Sequence, residues 1–444
     1  MQDEEEKEGT GDEKVIILIY VGSSGYNEPV SKILPRLRGD IDVMPSPVPE
    51  QPGLLVRDPF RYSPAMLIIP PALIPCLAFF NGEQTDLDLK TELYRRTGQL
   101  VGGEVVAEFV QALQGQGFLE TDEYYRMRDA RQGEFRDALE RHPNHAGSAY
   151  PDQPDALRSQ FQEYLESAEK PDSAPRDVIG LAAPHVSPFG GAKSYGTAYR
   201  RLNPSLADKT FVVLGTSHYG FPERFGLTRK PFVTPLGTLA VDTPLVDRLA
   251  KQAGDAVLME DYCHAIEHSI EFQCVFLQHA LGSSVRILPV LCGPFFESLV
   301  TGRLPESHAG VERFLSALGE LAEREASRLF WILGIDMAHI GRRYGDRSAV
   351  RAGEGFMESV ARQDHERLQR ACAGDREGFF ELVHPEQDRL RWCGYSALYT
   401  FLKAVPKARG SLLHYEQWNI DPESVVSFAA LEFVRDGAAS EPRL

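Results

Sequence analysis

Val178–Leu202 reads VIGLAAPHVSPFGGAKSYGTAYRRL. An apolar run without alternation opens it, as in a strand covered on both faces. A loop containing Pro184, His185, Gly190 and Gly191 follows, and then a helical stretch. Strand, loop and helix recur downstream to about residue 436, which predicts a layered α/β domain with a sheet between helices. TFVVLGTSHYGF repeats the opening with His218, FWILGIDMAH places Asp336 and His339 after another buried run, and RWCGYS sets Cys393 at the start of a helix. Ligands of α/β sheets gather at the carboxyl ends of strands. Imidazole, carboxylate and thiol delivered to that edge predict one shared pocket that holds a metal.

A lone histidine or cysteine is more often structural than catalytic. Two histidines at equivalent strand ends favour shared ligation, and a thiol at a helix N-terminus has its thiolate favoured by the dipole. TPLGTLAVDTPLVDRL supplies a turn, a strand and a helix capped near Asp242 or Thr243. HAIEHSIEFQCVFLQHAL reads as one helix on which His264, Glu267, His268 and Glu271 share a face. His264, Glu267 and His268 also match the inverted zinc-hydrolase spacing HxxEH.

The chain has 444 residues, enough for two or three domains. Its net charge of −17 argues against a general nucleic-acid binder. Six cysteines without a CxxC pair fit free thiols in a reducing compartment. The apolar run Val15–Val21 is too short to span a bilayer, and the acids before it do not suit a secretory signal, so a cytoplasmic protein is expected.

Residues 1–30 read as an acidic tail, the strand-like VIILIYVG and the loop GSSGYNEP. Residues 31–125 begin with small strands and turns and continue with helices. PPALIPCLAFF is a helix or turn, LDLKTELYRRTG is a helix closed by Gly98, and a third helix carries Val105, Val106, Phe109, Val110 and Leu113 before a short strand, FLE. That outline is winged-helix-like and α+β. Nine acids against three bases over 72–125 favour a protein partner over DNA. Residues 126–143 read as a charged helical linker, 144–436 as the α/β domain, with EKPDSAPRD as a linker inside it, and 437–444 as a tail.

From about His145 to about Val434 the sequence resembles the Memo-like proteins, known in bacteria and archaea as AmmeMemoRadiSam system protein B. The resemblance is carried by HAGSAYPDQP, APHVSPFGGAKSYG, VLGTSHYG, TPLGTLAVD, EHSIEFQCVFLQ, ILPVLCG, DMAHIG, CGYSALYTFLKA and SVVSFAALEF, in the family's order. It implies a three-layer α/β/α fold similar to class III extradiol dioxygenases, which are non-haem iron enzymes. It implies metal ligands at His185, His218 and Cys393 and an acid/base histidine at His268, with Asp336 and His339 behind the ligands. The implied metal is Fe(II), with copper or zinc as alternatives, and a thiolate favours softer metals. The implied function is an oxidoreductase of dioxygenase type working beside a radical-SAM protein. A non-enzymatic metal-binding scaffold or peptide binder is the alternative, and a zinc hydrolase a further one. DMAH stands where the family often has SDFSH, and His264 where other members commonly carry an acid. The N-terminal 140 residues resemble the winged-helix-like extension of some bacterial members.

Overall fold

The structure is a computed structural model that describes residues 15–17, 31–46, 48–98, 103–168 and 178–436. The acidic opening, GSSGYNEP, EKPDSAPRD and residues 437–444 lie outside the described residues. The chain divides into two compact units, Met1–Asp137 and Ala138–Leu444.

The first unit opens with four strands, β1 (Val15–Ile17), β2 (Asp42–Pro45), β3 (Leu54–Arg57) and β4 (Met66–Ile69). They pair in the order β1-β4-β3-β2, with β1, the described part of the expected strand, parallel to β4. A single 3₁₀ segment, Ile74–Phe79, leads to α1 (Asp86–Thr97), α2 (Gly103–Gly115) and α3 (Asp122–Asp137). Thr85 and Asp88 form a reciprocal capping box at the start of α1, and Gly98 closes it in the left-handed conformation. Of the apolar positions expected on α2, Val106, Phe109 and Leu113 reach the core and join Leu67 and Ile69 of β4. The strand expected at FLE is corrected: Leu119 makes only an isolated bridge to Leu37. The first turns of the expected linker are part of α3.

The second unit begins with α4 (Pro154–Ser167), β5 (Val178–Ala183), α5 (Ala192–Tyr199) and β6 (Thr210–Thr216). Three short strands follow, β7 (Phe225–Leu227), β8 (Phe232–Thr234) and β9 (Gly237–Val241). Then come α6 (Thr243–Ala253), capped by Asp242 as expected, and β10 (Val257–Met259). Next are α7 (Cys263–Ile266), α8 (Glu271–Leu281), β11 (Arg286–Cys292), α9 (Phe296–Thr301), α10 (Ala309–Arg324), β12 (Leu329–Gly334) and β13 (Asp336–Gly341). The unit ends with α11 (Phe356–Cys372), α12 (Arg376–Val383), α13 (Tyr395–Ala404) and a long hairpin, β14 (Ala408–Asp421) with β15 (Ser424–Arg435).

These strands form one mixed sheet whose main path is β10-β7-β11-β6-β12-β5-β15-β13. Strands β11, β6, β12 and β5 run parallel. Every residue of β6 and β12 is buried, which explains their unbroken apolar sequence. Residues three apart on a strand face opposite sides. On β12, Trp331 packs on Phe401 of α13 with ring centres 5.5 Å apart. A side chain at Gly334 would meet the Ser269 carbonyl at 2.3 Å and Gln273 of α8 at 3.0 Å. Helices α8 and α13 therefore cover opposite faces, and the domain has three layers, α/β/α. Among the described residues no helix is long and apolar enough to cross a membrane.

One expectation fails locally. His264 to Leu281 is two helices, α7 and α8, separated where Glu267 adopts extended angles of −71° and 141°. His264, Glu267, His268 and Glu271 therefore do not share a helix face. The seam is held by Ser269, whose hydroxyl donates to the Thr216 carbonyl at 2.8 Å, and by Gln273, whose amide donates to the Pro184 carbonyl at 2.8 Å.

Candidate metal centre

Strand register puts the site together. Ala183 at the end of β5 lies beside Gly334 of β12, which lies beside Gly215 of β6. The chain leaving each strand therefore emerges at one edge, carrying His185, Asp336 and His218. Cys393 is brought to the same edge from the start of α13. Its carbonyl accepts from the Thr216 hydroxyl at 3.0 Å, and the Gly394 amide donates to the Asp336 carbonyl at 3.0 Å. Only glycine fits at 394, because a Cβ there would stand 2.5 Å from Ile335 Cβ and 2.7 Å from the Asp336 oxygen.

The rings of His185 and His218 lie 5.0 Å apart, edge to face. Nδ1 of His185 is 2.9 Å from the Gly334 carbonyl, and Nδ1 of His218 is 2.9 Å from Glu267 Oε2. Both partners accept, so Nδ1 carries a proton in each ring and each Nε2 is the nitrogen left to face inward. That is how ligand histidines are oriented in metal sites. Cys393 Sγ lies 3.2 Å from His185 Nε2 and also hydrogen-bonds His218. Desolvation would raise the thiol pKa, but the His185 and His218 rings outweigh it and lower it. Desolvation likewise works against the His218 imidazolium, yet Glu267 and Cys393 pull its pKa well above the usual histidine value. Carboxylate and sulfur thus give the cleft a negative potential that a cation would satisfy.

His268 joins this group from the seam between α7 and α8. Its ring stacks on His218 at 5.0 Å, and the donor nitrogens of His185, His218 and His268 all lie within 4.8 Å of one another. Desolvation, with His218 and His185 adding to it, pushes its pKa well below the ordinary value. His268 is therefore held in its neutral form. Asp336 takes the His185 backbone amide at 2.9 Å, and its Oδ2 lies 3.5 Å from His185 Nε2. Burial pushes its pKa up to about 6. His339 turns Nδ1 to the carbonyls of Met337 at 2.9 Å and Arg391 at 3.1 Å, and its ring meets Tyr344.

His264 belongs elsewhere. It is buried, with Nε2 at 3.1 Å from the Gly226 carbonyl of β7. The HxxEH reading needed one unbroken helical face, so the broken helix removes its basis.

Residues 141–432 match the profile described as "Memo-like protein". The chain belongs to the Memo-like family. A MEMO1 family protein of Aquifex aeolicus is 26% identical over 384 residues, 85% of this chain and 95% of that protein. That span exceeds what the second unit alone can supply, so the likeness reaches into the first. Two archaeal MEMO1 family proteins align over less of this chain. The one from Methanopyrus kandleri is 29% identical over 67% of this chain and 100% of its own length. The one from Methanosarcina barkeri is 27% identical over 66% and 98%.

In this Memo-like protein, sequence reading missed two residues beside the centre. His145 has its ring 5.6 Å from that of His268, and its Nδ1 is 3.2 Å from Glu271 Oε2. Arg141, only 1% exposed, pairs with buried Glu271 at 2.5 Å and donates to the carbonyls of His264 at 2.8 Å and Glu267 at 3.1 Å. The sequence places it in the linker 126–143, and that boundary is corrected: Arg141 is a core residue of the second unit. His145 had a signal, because it opens the HAGSAY motif. Arg141 had none, since its neighbours read as a charged surface helix.

Proposed function

We propose that the second unit is a transition-metal site serving redox chemistry on a small molecule, with His185, His218 and Cys393 as ligands and Fe(II) as the first candidate ahead of copper or zinc. The observation that carries this reading is the paired orientation of His185 and His218, each with Nδ1 engaged and Nε2 turned toward one sulfur. Imidazole and thiolate donors suit iron, copper and zinc better than calcium or magnesium. Such a metal would supply open coordination positions and a redox or Lewis-acid centre.

The chain's own residues divide the remaining work. Glu267 and the Gly334 carbonyl fix the ligand rings. Asp336 holds the loop that carries His185 through its backbone amide. His268, kept neutral and stacked on His218, is placed to take a proton from a substrate bound over the ligands. His145 and Glu271 steady it from the far side.

The clustering of three donor nitrogens favours a second reading, in which His268 replaces Cys393 as third ligand. The test is elemental analysis of protein purified without oxygen. His185→Ala should lose nearly all metal. Cys393→Ser should lose most of it, and His268→Ala should keep most. Full metal content in both His185→Ala and Cys393→Ser would sink the assignment. Loss in His268→Ala with retention in Cys393→Ser would move the site to three histidines.

A further inference from the structure

Beyond the metal edge, β13 and the loop that follows it wall a cleft of about 710 Å³. Ile340, Val350 and Phe356 supply its apolar surface, and Arg347, Arg351 and Arg389 supply cations. That volume suits a small organic molecule. The frame is built. Asp346 accepts from the Gly341 amide at 2.8 Å and is clasped by Arg391 through contacts of 3.1 and 2.8 Å. The Ala352 and Gly353 amides are tied to Asn419 at 3.0 Å and Gln417 at 2.9 Å, both on β14.

The charge balance of the cleft runs against that of the chain. Asp346 is neutralised by Arg391, which leaves Glu354 as the only other acid lining the cleft. Among the described residues Arg347 and Arg351 have no hydrogen-bonding or ion-pair partner on their side chains, while Arg389 pairs with exposed Glu386 at 3.4 Å and adds to the field of Arg391 at Asp346. Arg389 also lies 5.5 Å over the Phe356 ring, which places a guanidinium and an aromatic face together. Concentrating cations around an apolar floor, in a chain of net charge −17, is an arrangement that favours an anion with an apolar body.

We propose that this cleft binds a small organic anion, its carboxylate or phosphate on Arg347 and Arg351 and its apolar part against Ile340, Val350 and Phe356. The site is separate from the metal ligands. Its link toward that edge is Arg391, whose guanidinium clasps Asp346 and donates to the carbonyl of His339, which is not a ligand, at 3.0 Å.

The test is calorimetric titration of the full chain with phenyl phosphate, benzoate, inorganic phosphate and phenol. Phenyl phosphate, benzoate or both should bind with Kd below ~1 mM, and the tighter of the two identifies the head group. The Arg347→Ala/Arg351→Ala double variant should weaken that binding at least about tenfold. Both side chains are exposed, so circular dichroism and metal content should stay as in the parent. Binding of neither organic anion would overturn the proposal. So would phenol or inorganic phosphate binding as tightly as the organic anions, or an unchanged affinity in the double variant. None of these results depends on which residues hold the metal.

Discussion

The two units bury different chemistry. In the first, the core is aliphatic and aromatic, and its fully buried ion pair is Arg38 on Asp58. The second encloses Arg141 on Glu271, Arg367 on Asp388, and Asp364 held by Trp392, Tyr415 and Ser427 at 2.6, 2.9 and 2.6 Å. All 12 histidines of the chain also lie in the second unit. Buried charge is costly and is kept only where paired. In the second unit each of these buried charges has such partners.

The comparison breaks most visibly at the junction. A fragment starting at Ala138 keeps Arg141 and should melt as the second unit does in the full chain. One starting at Asn144 leaves Glu271 buried without its guanidinium and should lose roughly 3–5 kcal/mol or fail to fold. Urea titration of the two fragments decides this. Equal stability would make Arg141 dispensable and restore the linker reading.

Acid should separate the units next. Burial pushes His264 down to about 3, from 6.5 when unfolded. The unfolded chain then binds more protons than the folded one. Stability from His264 is present above pH 6.5 and is lost as pH falls toward 3, by up to about 1.4 kcal/mol per pH unit. His264→Gln should be less stable at neutral pH but flatter across the upper part of that window. The first unit, lacking histidine, should hold its own transition steady between pH 7.5 and 6. Parallel slopes for parent and variant would show that His264 is not the sensor.

The smallest effect tests independence. Thr85→Ala removes the capping box of α1 and should cost the first unit about 1 kcal/mol. Metal content and the second transition should not move. A shift in the second transition would show that the units share stability.

Much of this was legible in one dimension. Buried strands announce themselves as unalternating apolar runs, so His185, His218, Asp336 and Cys393 could be placed at element ends before any contact was known. The seam at Glu267–Ile270 could not. Its sequence carries no proline or glycine and has good helical spacing, and what unwinds it is tertiary. Gly215 and Gly334 leave room for Ser269, where a Cβ on Gly215 would stand 2.5 Å from its hydroxyl. Two side-chain bonds to strand ends then outweigh a turn of helix. His268 reaches the other histidines only because of that unwinding. Arg141 was hidden for the opposite reason: it pairs across about 130 residues with a carboxylate that also looked like surface.

Four of the six thiols are buried, and all six are free. Desolvation raises Cys372 to about 11, while Cys393 is held below its ordinary value between two imidazoles. An alkylating reagent at neutral pH should therefore find one sulfur before the others. The rate at which iodoacetamide labels the native protein becomes a gauge of whether that sulfur is engaged, and it requires neither a substrate nor knowledge of the reaction.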